Sequence, residues 1–227
     1  MKIMTSYIFI HPERDCRKFD DIIVYHDSFI GNEDPYIWRK RFLHSFCKIT
    51  DYSYNKNDED DTIFWVSIKN ENNENKYVCD LVFKVDECEF WYDSMKKQRE
   101  AIRNNEALNI NSKVVENDCK ALKYHFSLGE KDHSWSAKYN RRRVTLKATE
   151  DSFQPQTQER KLLDITGMLK EVLGTKFNEL GKKTNYGYKP VELNKEQVKN
   201  LYCKINESSP IKLTGRELEN LPVDRHK

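Results

Sequence analysis

TIFWVSIKNENNENKYVCDLVFKV, residues Thr62 to Val85, decides the fold class. Its two ends are rich in β-branched and aromatic residues, while its middle, Lys69 to Lys76, is wholly polar. Branched and aromatic side chains suit the pleated surface of a strand, and a polar break between two such runs reads as a hairpin. The pattern predicts strands over Thr62–Ile68 and Tyr77–Val85 joined by a loop at 69–76. In the second strand Tyr77, Cys79, Leu81, Phe83 and Val85 alternate, so regular pleating places all five on one buried face.

Working outward, Thr5–Ile10, Ile22–Tyr25, Glu89–Tyr92, Leu122–Leu128 and Arg143–Ala148 have the same strand composition between polar segments. Helical spacing appears elsewhere. Asp34-Pro35 reads as a helix start, and Trp38, Phe42 and Phe46 recur every four residues through Cys47. Asp93 and Ser94 suit the cap of a helix running to Arg103. Gln158–Leu173 carries Leu162, Ile165, Leu169 and Val172 at helical spacing. Asn194 with Gln197 forms a capping-box start for a helix through Ile205, and Thr214 with Glu217 another. Phe153–Gln158 reads as a connecting segment.

These elements predict a single α+β or α/β domain over residues 1–227, strand-rich over 1–150 and helical over 158–227. Its mixed sheet would hold about five to seven strands, with helices packed on it.

Composition narrows the functional classes. Hydrophobic residues at 37% and aromatics at 12% supply a core, so the chain is not read as disordered. The balance of 39 basic and 37 acidic residues excludes a polycation, so any anion binding must come from local patches. No apolar run approaches the roughly 20 residues of a membrane span, and no membrane partner is expected. Six scattered cysteines without a C-x-x-C pair, and no export signal at the N-terminus, predict reduced thiols in the cytoplasm and no zinc ribbon. With 7 glycines and none of the Walker, G-x-G-x-x-G, H-E-x-x-H or G-x-S-x-G motifs, an NTPase or dinucleotide enzyme is disfavoured. No metal or cofactor is called for.

Charge concentrates in KDHSWSAKYNRRRVTLK, residues Lys131 to Lys147. Lys131, Lys138, Arg141, Arg142, Arg143 and Lys147 face Asp132 alone, in a chain of net charge +2. Trp135 and Tyr139 lie among these cations, with His133 beside them. Cations interleaved with flat rings suit a phosphate backbone and its bases. Leu122–Leu128 alternates Lys123, His125 and Ser127 against apolar residues, and Arg143–Ala148 alternates Arg143, Thr145 and Lys147. Paired, the two strands would merge these six side chains into one anion-binding surface, with His125 as its group titrating near neutrality. DNA or another nucleic acid is the expected partner; oligomeric state is left open.

A second segment, YHDSFIGNEDPY from Tyr25 to Tyr36, runs from a strand through a turn into a helix start. Gly31, Asp34, Pro35 and Tyr36 resemble the G-Q-D-P-Y loop of the uracil-DNA glycosylase superfamily, with one extra residue between Gly31 and Asp34. The resemblance implies that Asp34 assists an attacking water while Pro35 and Tyr36 shape a base pocket. An enzyme that excises a base must extract it, hold the backbone and place an acid or histidine beside the sugar. On that reading Asp34, His125 and His133 are catalytic, and Pro35 and Tyr36 line the pocket. Lys123, Trp135, Lys138, Tyr139, Arg141, Arg142, Arg143 and Lys147 hold the nucleic acid. The alternatives are a non-catalytic nucleic-acid-binding module, and a metal-dependent nuclease or phosphoesterase built on His26, Asp27 and Asp80.

Overall fold

The computed structural model describes residues 6–11, 13–26, 44–45, 61–104, 144–184 and 187–214. The strands are β1 (Ser6–His11), β2 (Asp15–Phe19), β3 (Ile22–His26), β4 (His44–Ser45), β5 (Thr62–Glu71), β6 (Glu74–Phe90), β7 (Val144–Ala148), β8 (Phe153–Gln156), β9 (Leu163–Asp164), β10 (Lys183–Thr184), β11 (Gly187–Tyr188), β12 (Val191–Leu193) and β13 (Ile211–Thr214). The helices are α1 (Met95–Arg103), α2 (Thr166–Leu173) and α3 (Lys195–Ser208), and a 3-10 turn, Gly174–Glu179, follows α2. The fold is α+β. Its mixed sheet runs β12-β1-β5-β6-β7-β4, with β8, β9 and β13 joined beside that path, and β1 lies parallel to β5. Among the described residues no helix is long and apolar enough to cross a membrane.

The opening hairpin forms, but its polar middle is not a loop. β5 and β6 pair out to Glu71 and Glu74, leaving Asn72 and Asn73 as the turn, with φ of 55° and 65°. Positive φ at both central residues matches the twist of paired strands, and asparagine tolerates it. β6 also continues through Glu89 and Phe90, absorbing the separate strand expected at 89–92.

Alternation along β6 breaks at Asp80. Trp65 pairs with Leu81 while its neighbour Val66 pairs with Cys79, so Asp80 is an extra, unpaired residue in a β-bulge. One inserted residue reverses the facing of everything beyond it. Tyr77, Cys79 and Val82 therefore join the core under α2 and α3, with Ile8, Phe64, Leu169, Leu201 and Ile205. Leu81, Phe83 and Val85 turn to the opposite face, with Phe9, Trp65, Val24 and Leu146. The expectation of one shared face is thus corrected. Both faces are buried, so a strand apolar at nearly every position conceals the shift. A second irregularity leaves Asp86 unpaired between Val85 and Glu87.

Ser94 caps α1, its hydroxyl accepting from the Lys97 N–H at 3.2 Å. The box on α3 is complete: Asn194 Oδ1 accepts from the Gln197 N–H at 2.9 Å and Gln197 Oε1 from the Asn194 N–H at 3.1 Å. The expected helix at 158–173 is shorter. Only Thr166–Leu173 is helical, because Leu163 pairs with Cys79 in the sheet and Asp164 then binds the Thr166 N–H and hydroxyl. Phe153–Gln156, expected to be a connector, is a wholly buried strand. The last third is mixed rather than helical, since β9, β12 and β13 all enter the main sheet. Thr214 ends β13, and the helix expected to start there lies outside the described residues. Of the helix expected over 36–47, His44 and Ser45 are instead a strand paired with β7.

Candidate functional site

Most residues singled out in the sequence lie outside the described residues: Asp34, Pro35, Tyr36, Lys123, His125, His133, Trp135, Lys138, Tyr139, Arg141, Arg142 and Arg143. Lys147 is described. It sits on β7 opposite Glu87, and its ammonium lies 3.8 Å from a carboxylate oxygen of Asp86. At Leu146 and Lys147 β7 has β6 on one edge and β4 on the other. The expected pairing of Arg143–Ala148 with Leu122–Leu128 is therefore replaced at Leu146 and Lys147, while Leu122–Leu128 itself lies outside the described residues. Pairing depends on which distant segment fills an edge, and strand composition alone does not name it.

The described residues instead bring together a polar group that no spacing or composition pattern in the chain marks. Ser67 shares a face of β5 with Trp65, and His11 lies beside Ser67 in the parallel β1–β5 register. The bulge turns Asp80 onto the same side. Its Oδ2 accepts from the Ser67 hydroxyl at 2.5 Å and lies 3.6 Å from Arg14 Nε. The Arg14 and Asp80 side chains are only 2% and 1% exposed. The His11 ring meets the Trp65 indole at 5.5 Å between centroids. Lys69, further along β5, pairs with Glu13 at 3.2 Å.

Burial dominates the electrostatics of this group. Taking a carboxylate out of water raises the pKa of Asp80 to about 7, although Arg14, the Ser67 hydroxyl and Lys69 favour its charged form. A buried ion pair recovers its desolvation cost only when the remaining polar atoms are also bonded. Here Arg14 Nε, Nη1 and Nη2 and Asp80 Oδ1 find no hydrogen-bond partner among the described residues. The neighbouring Cys79 thiol is pushed well above its usual range by its own burial, then by the Asp80 charge. It points into the opposite core and is inert.

Asp80 also organises the backbone around it. Its carbonyl accepts from Gln154 Nε2 at 3.0 Å, and that nitrogen also donates to the Tyr25 carbonyl at 2.9 Å. Gln154 Oε1 accepts the Tyr25 N–H at 2.9 Å, and Gln156 Nε2 donates to the Ile23 carbonyl at 2.7 Å. The hairpin β2–β3 is thus docked by two glutamine amides rather than by a backbone ladder. A glutamine-rich connector in a sequence carries no signal of this use.

Chemically, the group can exchange a proton near neutrality and hold a guanidinium out of water. It does not fit the metal reading of Asp80, because Arg14 already occupies the cation's place beside that carboxylate. Among the described residues no three histidine, cysteine or acidic side chains gather where they could hold a metal ion. Among the described residues Cys16, Cys79 and Cys203 are free thiols.

No protein-family model matches this chain, and no curated protein or solved structure matches it.

Proposed function

We propose that this chain acts on nucleic acid, gripping it through the segment Lys131–Lys147. One observation carries the reading: six cations and two large aromatic rings against a single acid, in a chain otherwise balanced in charge. Phosphates supply most of the affinity for such a segment, and ring stacking supplies tolerance of sequence. The end of the segment is seated on the sheet, since Leu146 and Ala148 of β7 are buried. The finer reading is an intracellular, glycosylase-like hydrolase. Asp34 would activate water, His125 or His133 would serve beside the sugar, and Pro35 and Tyr36 would shape the base pocket, as the Gly31–Tyr36 resemblance implies.

A non-catalytic nucleic-acid-binding module is the second reading. Its support is that Asp80, the described carboxyl ionising nearest neutrality, is buried where no polymer reaches it.

The test is to incubate the protein with normal and base-modified DNA, with and without divalent metal, over a range of salt. Free base and abasic sites, lost in Asp34→Asn or His125→Ala, support base excision. Retention without product supports the binding module, and metal-dependent nicks support a nuclease. Each phosphate contact should contribute about 0.9 to the slope of log affinity against log salt on duplex DNA. Absence of retardation at low salt, or a slope unchanged by Arg141→Ala, Arg142→Ala and Arg143→Ala together, overturns the proposal.

A further inference from the structure

The open end of the β2–β3 hairpin rests on the Asp80 bulge by two routes. Asp15 pairs with His26 and Cys16 with Tyr25 at that end. On the β2 side, Arg14 immediately precedes the strand and reaches the Asp80 carboxylate. On the β3 side, Tyr25 is held by the Gln154 amide, which also binds the Asp80 carbonyl. The two routes differ in kind. An amide holds at any pH near neutrality, whereas a carboxylate holds a guanidinium only while ionised.

We propose that the Arg14–Asp80 pair is a proton-sensitive latch, which fastens the start of β2 to the sheet and releases it on mild acidification while Gln154 keeps β3 in place. Among the described residues, neutral Asp80 leaves the buried Arg14 guanidinium without a counter-charge, and its three nitrogens already lack hydrogen-bond partners there. A buried unpaired cation is strongly unfavourable. Arg14 lies in the short link between β1 and β2, next to the exposed Glu13, so its side chain can reach water without disturbing the sheet.

The direction follows from linkage. Arg14 lowers the pKa of Asp80, so the fastened state binds protons less readily than a state with Arg14 withdrawn and Asp80 still enclosed. The latch therefore holds above neutrality and weakens as pH falls through about 7. The groups facing Asp80 are Arg14 from the link, Ser67 and Lys69 from β5, and Cys79 beside it on β6. His11 on β1 borders Ser67 and is itself ionisable, so the experiment must separate the two.

Amide hydrogen exchange on the full chain at about pH 6 and pH 8, normalised to intrinsic rates, reads the latch directly. Asp15, Cys16 and Arg17 are expected to lose roughly tenfold in protection at the lower pH, a factor equivalent to one unit of pKa difference. The Tyr25 amide, donated to Gln154, keeps its protection. Asp80→Asn is expected to show equal protection at both pH values, because it retains His11 but cannot ionise. Should that variant not fold, the Asp80 carboxyl carbon can be titrated by NMR, and its midpoint should rise in Arg14→Met. The latch is overturned by equal protection of β2 at both pH values, by loosening on the alkaline side, or by an Asp80→Asn response like that of the unaltered chain. An Asp80 midpoint unmoved in Arg14→Met also overturns it.

Discussion

Gln154 binds Tyr25 as a neighbouring strand would, its side-chain amide accepting from the Tyr25 N–H and donating to the Tyr25 carbonyl, each at 2.9 Å. A third bond from the same amide reaches the Asp80 carbonyl. One side chain thus satisfies three backbone groups on two elements that share no ladder. A hairpin of two strands is marginal by itself and needs such support.

Gln154→Ala leaves the Tyr25 N–H and two carbonyls unpaired in a mostly buried place. Each such group costs about 1–3 kcal/mol, so a loss of roughly 2–4 kcal/mol is expected, part being recovered by entering water. Urea denaturation measures it. Gln156→Ala removes the bonds to the Ile23 carbonyl and to Gln154 Oε1, only the first of which holds a backbone group of the hairpin, and should cost less. A Gln154→Ala loss no larger than that of Gln156→Ala would contradict this account of docking.

Asp80→Asn tests the whole-chain consequence of burial. An unfolded aspartate ionises near about 3.9, whereas folded Asp80 ionises at about 7. Between those values the folded chain holds the extra proton, so this residue's contribution to global stability falls as pH rises. Relative to Asp80→Asn, the unaltered chain should lose on the order of 2–3 kcal/mol between about pH 5 and pH 8. This sign is opposite to that of the local latch, because the reference there is an opened but still enclosed Asp80. Denaturant midpoints of the two chains across pH give the comparison; parallel curves would refute it.

Deleting Asp80 removes the bulge and forces one continuous alternation on β6. With the extra residue gone, Tyr77, Cys79 and Val82 still alternate onto the face under α2 and α3, and Leu81, Phe83 and Val85 onto the opposite one. The deletion is therefore expected to keep cooperative unfolding, losing only the contacts of the Asp80 side chain with Ser67 and Arg14. Circular dichroism melts decide this, and loss of the cooperative transition would show that the bulge itself is needed.

Asn194→Ala removes the acceptor of the Gln197 N–H and so frees one backbone N–H at the start of α3, leaving the other bond of the box, from the residue-194 N–H to Gln197 Oε1, intact. A loss of about 1 kcal/mol is expected, without change in the docking of Leu201 and Ile205. Thermal melting measures the loss, and the near-ultraviolet spectrum reports whether the core is intact.

Local signals in the sequence were legible where they are also local in cause. The strands at Ser6–His11, Ile22–His26, Thr62–Glu71 and Val144–Ala148 follow from their branched and aromatic runs. The caps at Ser94 and Asn194 depend on side chains three residues from their partners. The shortened helix at Thr166–Leu173 was not legible, because Leu163 answers to Cys79, 84 positions earlier, rather than to its own neighbours. Of the residues expected to be catalytic or to hold nucleic acid, Lys147 alone falls within the described residues, and its ammonium lies near Asp86.

Composition and spacing by themselves determined that this chain pairs strands, where the caps at Ser94 and Asn194 fall, and where its charge is concentrated. Only the tertiary structure decided that Asp80 is an extra residue in its strand, and hence which core each residue of β6 enters. It also decided that Arg14, Ser67 and Asp80 meet, and that two glutamines of a buried strand fasten a hairpin. The physical reason is range: backbone propensity and capping act over three or four residues, whereas register, bulges and buried charge pairs depend on segments that meet only after the chain has folded.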